Sequence, residues 1–283
     1  MQTLIPASLF TLMFALGLGL RGEAVSLLRH RPALIVRVLL GSCLLVPLAG
    51  LLLLKSPLLG ALSVPVRLAI GLMAVCPSAP LTLRKASRHG GDRELAALLQ
   101  LLAAAAAIVT IPLLADLYRA LFQLSGWRIE PLDVARQVLL IQGLPLSLGV
   151  LVRRCLPRLA ERLEAPLDRA ANLLLLTLVA LIIGLSWPGL RIFLASNLAG
   201  LAAIALMVLL ALAIGWLLSG PGLRERTTVA VVTSTRNPGL ALLFASGHAQ
   251  GVAGLKLAIL VYVLVTLLLS LPLLTMSRRL APA

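Results

Sequence analysis

A run of polar residues and helix breakers interrupts a long apolar segment in the last quarter of the chain. Residues 230–244 read AVVTSTRNPGLALLF, so three hydroxyls, a guanidinium and a carboxamide come directly before Pro238 and Gly239. Proline lacks a backbone N–H and clashes with the preceding turn, so Pro238 is predicted to break the helix. At membrane depth, the backbone groups released by a break must line a cavity or be buried in protein. We therefore predict a binding site at this break.

Arg236 is the residue with the clearest chemical potential in this stretch. Its five N–H donors suit a carboxylate or a similar oxyanion, so it could anchor an anionic substrate or stand in for a bound cation. The alternative is that it caps the carbonyls of a half-helix or pairs with an acid elsewhere. Asn237 either contacts the substrate or braces the break. The hydroxyls of Thr233, Ser234 and Thr235 either line a cavity or bond back to their own helix.

A second break is predicted in the first half of the chain. Residues 73–85 read MAVCPSAPLTLRK, with Ser78 and Thr82 beside the two prolines Pro77 and Pro80. Half-helix N-termini after Pro80 and Pro238 would present free N–H groups and a positive dipole end to an anion. The helix breaks are assigned to Pro77, Pro80, Pro238 and Gly239. The candidate substrate-binding residues are Thr233, Ser234, Thr235, Arg236, Asn237, Ser78 and Thr82.

Other residue types that carry chemistry are scarce. Cys43, Cys76 and Cys155 lie far apart without metal-ligand spacing, so neither a metal site nor a disulfide framework is predicted. The histidines and acidic residues fall in predicted loops or near span ends, whereas an intramembrane enzyme would need them inside the spans. We therefore predict no enzyme activity and no cofactor.

Composition places these motifs in a membrane. Hydrophobic residues make up 60% of the 283 positions and charged residues 12%, whereas soluble domains are about 45–50% apolar and about 25% charged. A helix needs roughly 17–25 apolar residues to cross a bilayer. The predicted fold is an all-α polytopic membrane protein with nine transmembrane helices. The predicted spans are Leu4–Leu20, Ala33–Leu54, Val66–Leu83, Leu95–Leu121, Leu132–Val152, Ala170–Trp187, Leu198–Leu218, Thr227–Ala245 and Val252–Met276.

Basic residues are distributed unevenly among the connections. Sixteen lie in the odd-numbered loops or the C-terminal tail, and seven lie in or beside the even-numbered loops. Cytoplasmic loops carry the excess of Lys and Arg, so we predict an external N-terminus and a cytoplasmic C-terminus in the cytoplasmic membrane. This orientation requires an odd number of spans, in agreement with nine. The net charge of +15 is then explained by topology, and no nucleic-acid partner is predicted.

The two broken spans occupy corresponding places, since they are the third of four and the eighth of nine. Interrupted spans in corresponding positions of two halves are typical of inverted-repeat transporters. We predict a single integral membrane domain. Residues 1–152 contain the first half and the start of the second (spans 1–5), and residues 153–169 form a cytoplasmic linker loop. Residues 170–283 contain spans 6–9, including the broken helix at 227–245.

Three stretches resemble the bile acid:sodium symporter family. LMFALGLGLRGEAVSLLRHRP (Leu12–Pro32) is similar to the second helix and following loop of that family, VCPSAPLTLRKASRHGGD (Val75–Asp92) to its broken fourth helix, and TSTRNPGLALL (Thr233–Leu243) to its broken ninth. Their order and spacing match over essentially the whole chain, without the usual first helix. The resemblance implies a panel domain and a core domain in which the two broken helices cross. It also implies sodium beside the crossing and substrate in the cleft between the domains.

The chain departs from the family at the positions that would hold sodium. The fourth-helix Asn of the family corresponds to Leu83, the third-helix Gln to Ser42, and the ninth-helix Glu and Gln to Val232 and Arg236. The fifth-helix hydroxyls fall in the alanine run 103–107. Sodium needs hard oxygen ligands and a compensating negative charge, and a neighbouring guanidinium would repel it. We therefore expect the sodium sites to be absent and Arg236 to occupy their electrostatic place.

These observations predict a secondary active or facilitative transporter of a small, carboxylate-type organic anion that works by alternating access without the usual sodium sites. Its partners would be the anion, the lipid bilayer and either a proton or a counter-anion. The alternative within transport is a sodium-coupled organic anion symporter with a relocated site. The alternative of another class is a membrane sensor that binds without transporting.

Overall fold

The computed structural model describes residues 4–20, 29–57, 62–77, 92–122, 130–249 and 251–280, and every regular element in these ranges is helical. Two π-helical segments, Gly41–Leu45 and Val138–Gly143, each join two α-helices. The α-helices are α1 Leu4–Gly19, α2 Pro32–Leu40, α3 Val46–Lys55, α4 Val64–Val75, α5 Arg93–Phe122, α6 Pro131–Gln137, α7 Leu144–Cys155, α8 Pro157–Ser196, α9 Leu198–Leu218, α10 Leu223–Ser234, α11 Pro238–His248 and α12 Leu255–Leu280.

Five helical stretches are long and apolar enough to cross a bilayer, namely Pro32–Lys55, Glu94–Leu121, Leu132–Cys155, Leu198–Leu218 and Leu255–Thr275. Many large apolar side chains on these stretches face outward; Leu198 is 70% exposed and Leu217 is 79% exposed. Such surfaces suit lipid rather than water. The prediction of an all-helical polytopic membrane protein is confirmed at this level.

The remaining predicted spans coincide with helices that are shorter or more polar. Helix α1 has 16 residues and α4 has 12. The sixth predicted span is the middle of the 40-residue α8, and the eighth is divided between α10 and α11. The count of nine spans stays a prediction.

Residues 153–169 are helical rather than an irregular loop. Helix α7 continues to Cys155, only Leu156 leaves the helical conformation (φ −133°, ψ 63°), and Pro157 begins α8. Proline is favoured in the first turn because its missing N–H would be unpaired there anyway. Across the bend, Arg153 lies 3.4 Å from Glu164 and 4.0 Å from Glu161. The polar composition that suggested a loop therefore belongs to a charged helix start.

The odd-numbered connections contact one another. Arg31, before α2, forms an ion pair of 2.5 Å with Glu225 in the first turn of α10. The backbone N–H of Asp92, before α5, donates to Thr228 Oγ1 at 2.8 Å. The first, third and seventh connections thus meet through α10.

The even-numbered connections form a separate group. Ser63, before α4, donates from Oγ to Asn197 Oδ1 between α8 and α9 at 3.4 Å. Gly254, before α12, lies beside Pro65. Described parts of the second, sixth and eighth predicted connections therefore lie together.

Helix α1 packs mainly on α7 and α8. The contact with α7 is made by two glycines, since a Cβ on Gly17 would lie 2.9 Å from the Gly149 Cα, and one on Gly149 would lie 2.8 Å from the Gly17 Cα. Small residues let helix backbones approach this closely in membranes. The largest buried cluster joins α3, α4, α5, α9, α11 and α12 and contains no residue of α1. Ile70, Tyr118 and Tyr262 are among its fully buried members.

Candidate functional site

The two breaks predicted from the sequence lie against each other. Helix α4 ends at Val75, and Cys76 is extended (φ −92°, ψ 92°). Helix α10 ends at Ser234, and Asn237 is also extended (φ −88°, ψ 95°) before α11 begins at Pro238. The N–H of Asn237 donates to the carbonyl of Cys76 at 3.1 Å. One backbone hydrogen bond thus joins the interruptions of α4 and of the α10–α11 pair.

Arg236 lies at this junction and is only 1% exposed. Its Nε donates to Met73 O at 3.0 Å, and its Nη2 donates to Ala74 O, both in the last turn of α4. Its Nη1 donates to Thr233 O at 3.3 Å, in the last turn of α10. The last carbonyls of a helix lack intrahelical partners and carry the negative end of its dipole. A single cation therefore caps two helices.

The local sequence explains why two of these carbonyls are free. Met73 O would normally accept the N–H of residue 77, which is Pro77 and has none. Thr233 O would accept the N–H of Asn237, which instead bonds to Cys76. The breaks thus create the acceptors that Arg236 satisfies.

A third acceptor comes from the π-helical segment Gly41–Leu45. Arg236 Nη1 donates to Ser42 O at 3.0 Å and to Ser42 Oγ at 3.1 Å. In this segment the N–H of Val46 bonds to Gly41 O, five positions back. The next N–H in that register would be that of position 47, which is a proline. Pro47 therefore leaves the Ser42 carbonyl open to the guanidinium.

The described surroundings of Arg236 are polar but uncharged. Within the described ranges, Arg236 forms no ion pair with a carboxylate. The groups close enough to interact with it electrostatically are the phenols of Tyr118 and Tyr262 and the thiols of Cys43 and Cys76. The positive charge is thus held by neutral oxygens, the way a protein holds a metal cation with carbonyls.

The hydroxyls before the break are all buried. Ser234 donates from Oγ to Val231 O at 3.3 Å, so it bonds to its own helix. The Oγ1 atoms of Thr233 and Thr235 have no hydrogen-bond partner among the described residues. Of the three hydroxyls, only that of Ser234 therefore has a hydrogen-bond partner among the described residues.

Asn237 acts as the N-cap of α11. Its Oδ1 accepts the N–H of Leu240 at 3.2 Å, with Pro238 in the first turn. Asn is among the residues preferred at an N-cap, and Pro is favoured directly after it. The Asn-Pro-Gly sequence thus starts the second half-helix as well as ending the first.

The structure describes only some of the other predicted site residues. Pro77 is buried and directly follows Cys76. Ser78, Pro80, Thr82 and Leu83 lie outside the described residues. Gly239 is partly buried in the first turn of α11.

A cavity of about 130 Å³ is lined by two polar residues that were not predicted as site residues from the sequence. It lies between α1, α5, the π-helical segment Val138–Gly143 and α7, and Gln100 and Gln142 are its polar lining residues. Both side chains are buried, and neither Oε1 has a partner among the described residues. The signal was present in the sequence as single carboxamides inside apolar runs, LLQLLAAAAA and LLIQGLPL.

Comparison with known proteins identifies the family. The sequence model of the Sodium Bile acid symporter family matches residues 6–189, from α1 to most of α8. A search of curated proteins finds no match. The match includes α4 and Ser42 and ends before α10 and α11. Because it covers more than half of the chain, this integral membrane protein belongs to the sodium bile acid symporter family, a family of transporters.

Proposed function

We propose that this protein carries a small organic anion across the cytoplasmic membrane by alternating access, without bound sodium. The observation that carries the proposal is the coordination of Arg236 by the free carbonyls of α4, α10 and the segment Gly41–Leu45. In transporters with broken helices, carbonyls at half-helix C-terminal ends coordinate the coupling ion. Here the guanidinium already engages such carbonyls.

The architecture we propose is an inverted repeat of nine spans with an external N-terminus. Helices α1, α7 and α8 would form the panel domain, and the cluster around α4, α5, α9 and α12 would form the core. The grouping of odd and even connections supports alternating spans. Residues 1–152 would contain the first repeat and the start of the second, and residues 170–283 would contain the rest of the second repeat.

Electrostatics argues against sodium at the crossing. Two unit charges 4 Å apart repel each other by about 4 kcal/mol at an effective dielectric constant of about 20. A sodium ion among the Arg236 acceptors would meet this repulsion, and it would compete for oxygens that are already occupied. Since arginine keeps its charge at any physiological pH, the positive charge of Arg236 would permanently occupy the place of the coupling ion. The energy for transport would then come from a proton or a counter-anion.

This proposal assigns Arg236 to the place of the ion rather than to direct contact with the anion. Its burial and its backbone acceptors support that assignment. The anion would instead meet the unpartnered hydroxyls of Thr233 and Thr235, with Ser78 and Thr82 added from the other break.

The test compares sodium with potassium at equal ionic strength. Purified protein in liposomes should transport its carboxylate substrate at equal rates in both salts. The melting temperature of the protein should also be the same in both. A rate or melting temperature raised only by sodium would establish a sodium-coupled symporter instead. Tight binding of an anion with no flux in either salt would establish a sensor.

A further inference from the structure

The cavity between α1, α5 and α7 has an unusual distribution of polarity. Among its fourteen described lining residues, only Gln100 and Gln142 carry polar side chains, and none carries a charged or titratable one. Gln100 projects from α5 and is 4% exposed, while Gln142 projects from the π-helical segment Val138–Gly143 and is 6% exposed. Two carboxamides therefore share an otherwise apolar chamber.

The carboxamides have unused hydrogen-bonding capacity. Gln100 Nε2 lies 3.8 Å from Met13 Sδ, a weak acceptor. The Oε1 atoms of both glutamines have no partner within the described part of the chain. Buried polar groups in proteins are nearly always satisfied, and the apolar walls supply no partner here. The missing partner is therefore to be sought in a ligand.

The backbone around Gln142 also has a feature typical of functional sites. Residues 138–143 adopt a π-helical register, which changes the direction of side chains relative to an α-helix, and such turns often occur at functional sites. Pro145 lies two positions after this π-helical segment, and Pro47 lies two positions after the segment Gly41–Leu45, which leaves the Ser42 carbonyl open. The chain thus departs from the regular α-helix both at Ser42 and at Gln142.

We propose that this cavity, which is distinct from the hydroxyls of Thr233 and Thr235, binds the transported acid in its undissociated, neutral form, an inference that rests on the function proposed above. A neutral carboxylic acid can donate its O–H to the Oε1 of one glutamine and accept an N–H from the other at its carbonyl. A carboxylate would have to enter a chamber whose described lining holds no cation, and an unpaired charge is strongly disfavoured there. The transported proton would then travel on the substrate itself.

The volume limits the size of the ligand. A cavity of about 150 Å³ in another protein holds benzene, and this one measures about 130 Å³. The substrate class is therefore a small monocarboxylic acid whose apolar body is no larger than a benzene ring. A steroid acid would not fit in this conformation.

Three probes of one shape test the charge requirement. Binding of benzamide, benzoic acid and benzenesulfonate to the purified full-length protein is measured by calorimetry at pH 5 and pH 8. Benzamide, neutral with a donor and an acceptor, should bind equally at both pH values. The apparent affinity for benzoic acid should fall about tenfold for each pH unit above the pKa of the acid, because only the neutral fraction binds. Benzenesulfonate, which stays charged, should not bind.

Variants test the two glutamines. Gln100→Leu and Gln142→Leu should each weaken benzamide binding at least tenfold without lowering the melting temperature, since each removes an oxygen that has no described partner. Thr266→Val, a buried change in α12 where the hydroxyl bonds to its own helix, should leave binding unchanged. Unaltered benzamide binding in both glutamine variants, tight binding of benzenesulfonate, or equal benzoic acid binding at pH 5 and pH 8 would each overturn the proposal.

A flux assay separates this inference from the proposed function. If sodium-independent transport of carboxylates persists in both glutamine variants, the protein is a carrier and the cavity assignment is wrong. If benzamide binding requires both glutamines but no acid is transported, the cavity assignment stands and the carrier function fails.

Discussion

The guanidinium of Arg236 lies 3.0 Å from the backbone carbonyl of Ser42, 194 positions earlier in the chain. The contact depends on Pro47, which leaves that carbonyl without an N–H partner. Met73 and Thr233 become acceptors of the same guanidinium through the two helix breaks. Three irregularities in three predicted spans therefore meet at one positive charge.

Removal of the Arg236 side chain should destabilise the protein strongly. Arg236→Ala leaves at least four buried carbonyls without their donor, and each buried acceptor left unsatisfied costs about 1–3 kcal/mol. We expect a large fall in melting temperature together with loss of transport. Arg37→Ala is the matched control, because Arg37 is also within a predicted span but is exposed, and its described hydrogen bond runs to Ala33 of its own helix. Full transport by Arg236→Ala would contradict the role given to this residue.

Restoration of sodium ligands should create sodium dependence. The family resemblance places Glu and Gln at the positions of Val232 and Arg236, and Val232 is buried in α10. In the double variant Val232→Glu/Arg236→Gln, the cation is removed, and a carboxylate is added near free half-helix carbonyls. We expect its melting temperature to be higher in sodium than in potassium, whereas the wild type and each single variant show no difference. The same melting temperature in both salts for the double variant would count against the replacement of sodium by Arg236.

The unpartnered hydroxyls should matter for transport and not for stability. Thr233→Val and Thr235→Val preserve shape and remove an O–H that has no described partner. A hydroxyl that only desolvates on folding does not stabilise, so the melting temperature should stay the same or rise. Flux should fall if the substrate meets these groups. Ser234→Ala is the control, since its hydroxyl bonds to Val231, and wild-type flux in both threonine variants would show that the anion binds elsewhere.

The glycine contact between α1 and α7 should be intolerant of even one methyl group. In Gly17→Ala and Gly149→Ala the new Cβ would lie within 3 Å of the backbone of the opposite helix. Overpacking of this kind costs typically 1–3 kcal/mol, and each variant should therefore unfold at lower temperature. Gly184→Ala in α8 is the matched control, because a Cβ there would have no neighbour within 4 Å. It should be neutral or stabilise by about 0.5–1 kcal/mol through helix propensity, and equal effects at all three glycines would contradict the packing.

The sequence predicts the helix break at Pro238 and the burial of Arg236, because a proline and a charge inside an apolar run have few other outcomes. It does not predict the partners of Arg236, since these are backbone carbonyls of Met73 and Ser42 that any residue type would provide. Only the prolines at 77 and 47 indicate that those carbonyls are free, and they do so only once the helical register is known. The cavity glutamines were missed for a related reason. A single Gln100 in an apolar helix faces lipid or protein depending on packing that periodicity alone does not determine.

The contact of Gly17 with Gly149 has a mechanical consequence. Helices whose backbones are in contact cannot slide or roll past each other without collision, so α1 and α7 are expected to move as one rigid unit. Leu16 of α1 and Leu146 of α7, beside this contact, line one side of the Gln100 cavity, while α5 provides the opposite side. When α1 and α7 tilt together, Leu16 and Leu146 move together. Their displacement must then be taken up against α5, where the chamber would widen or collapse around whatever it holds.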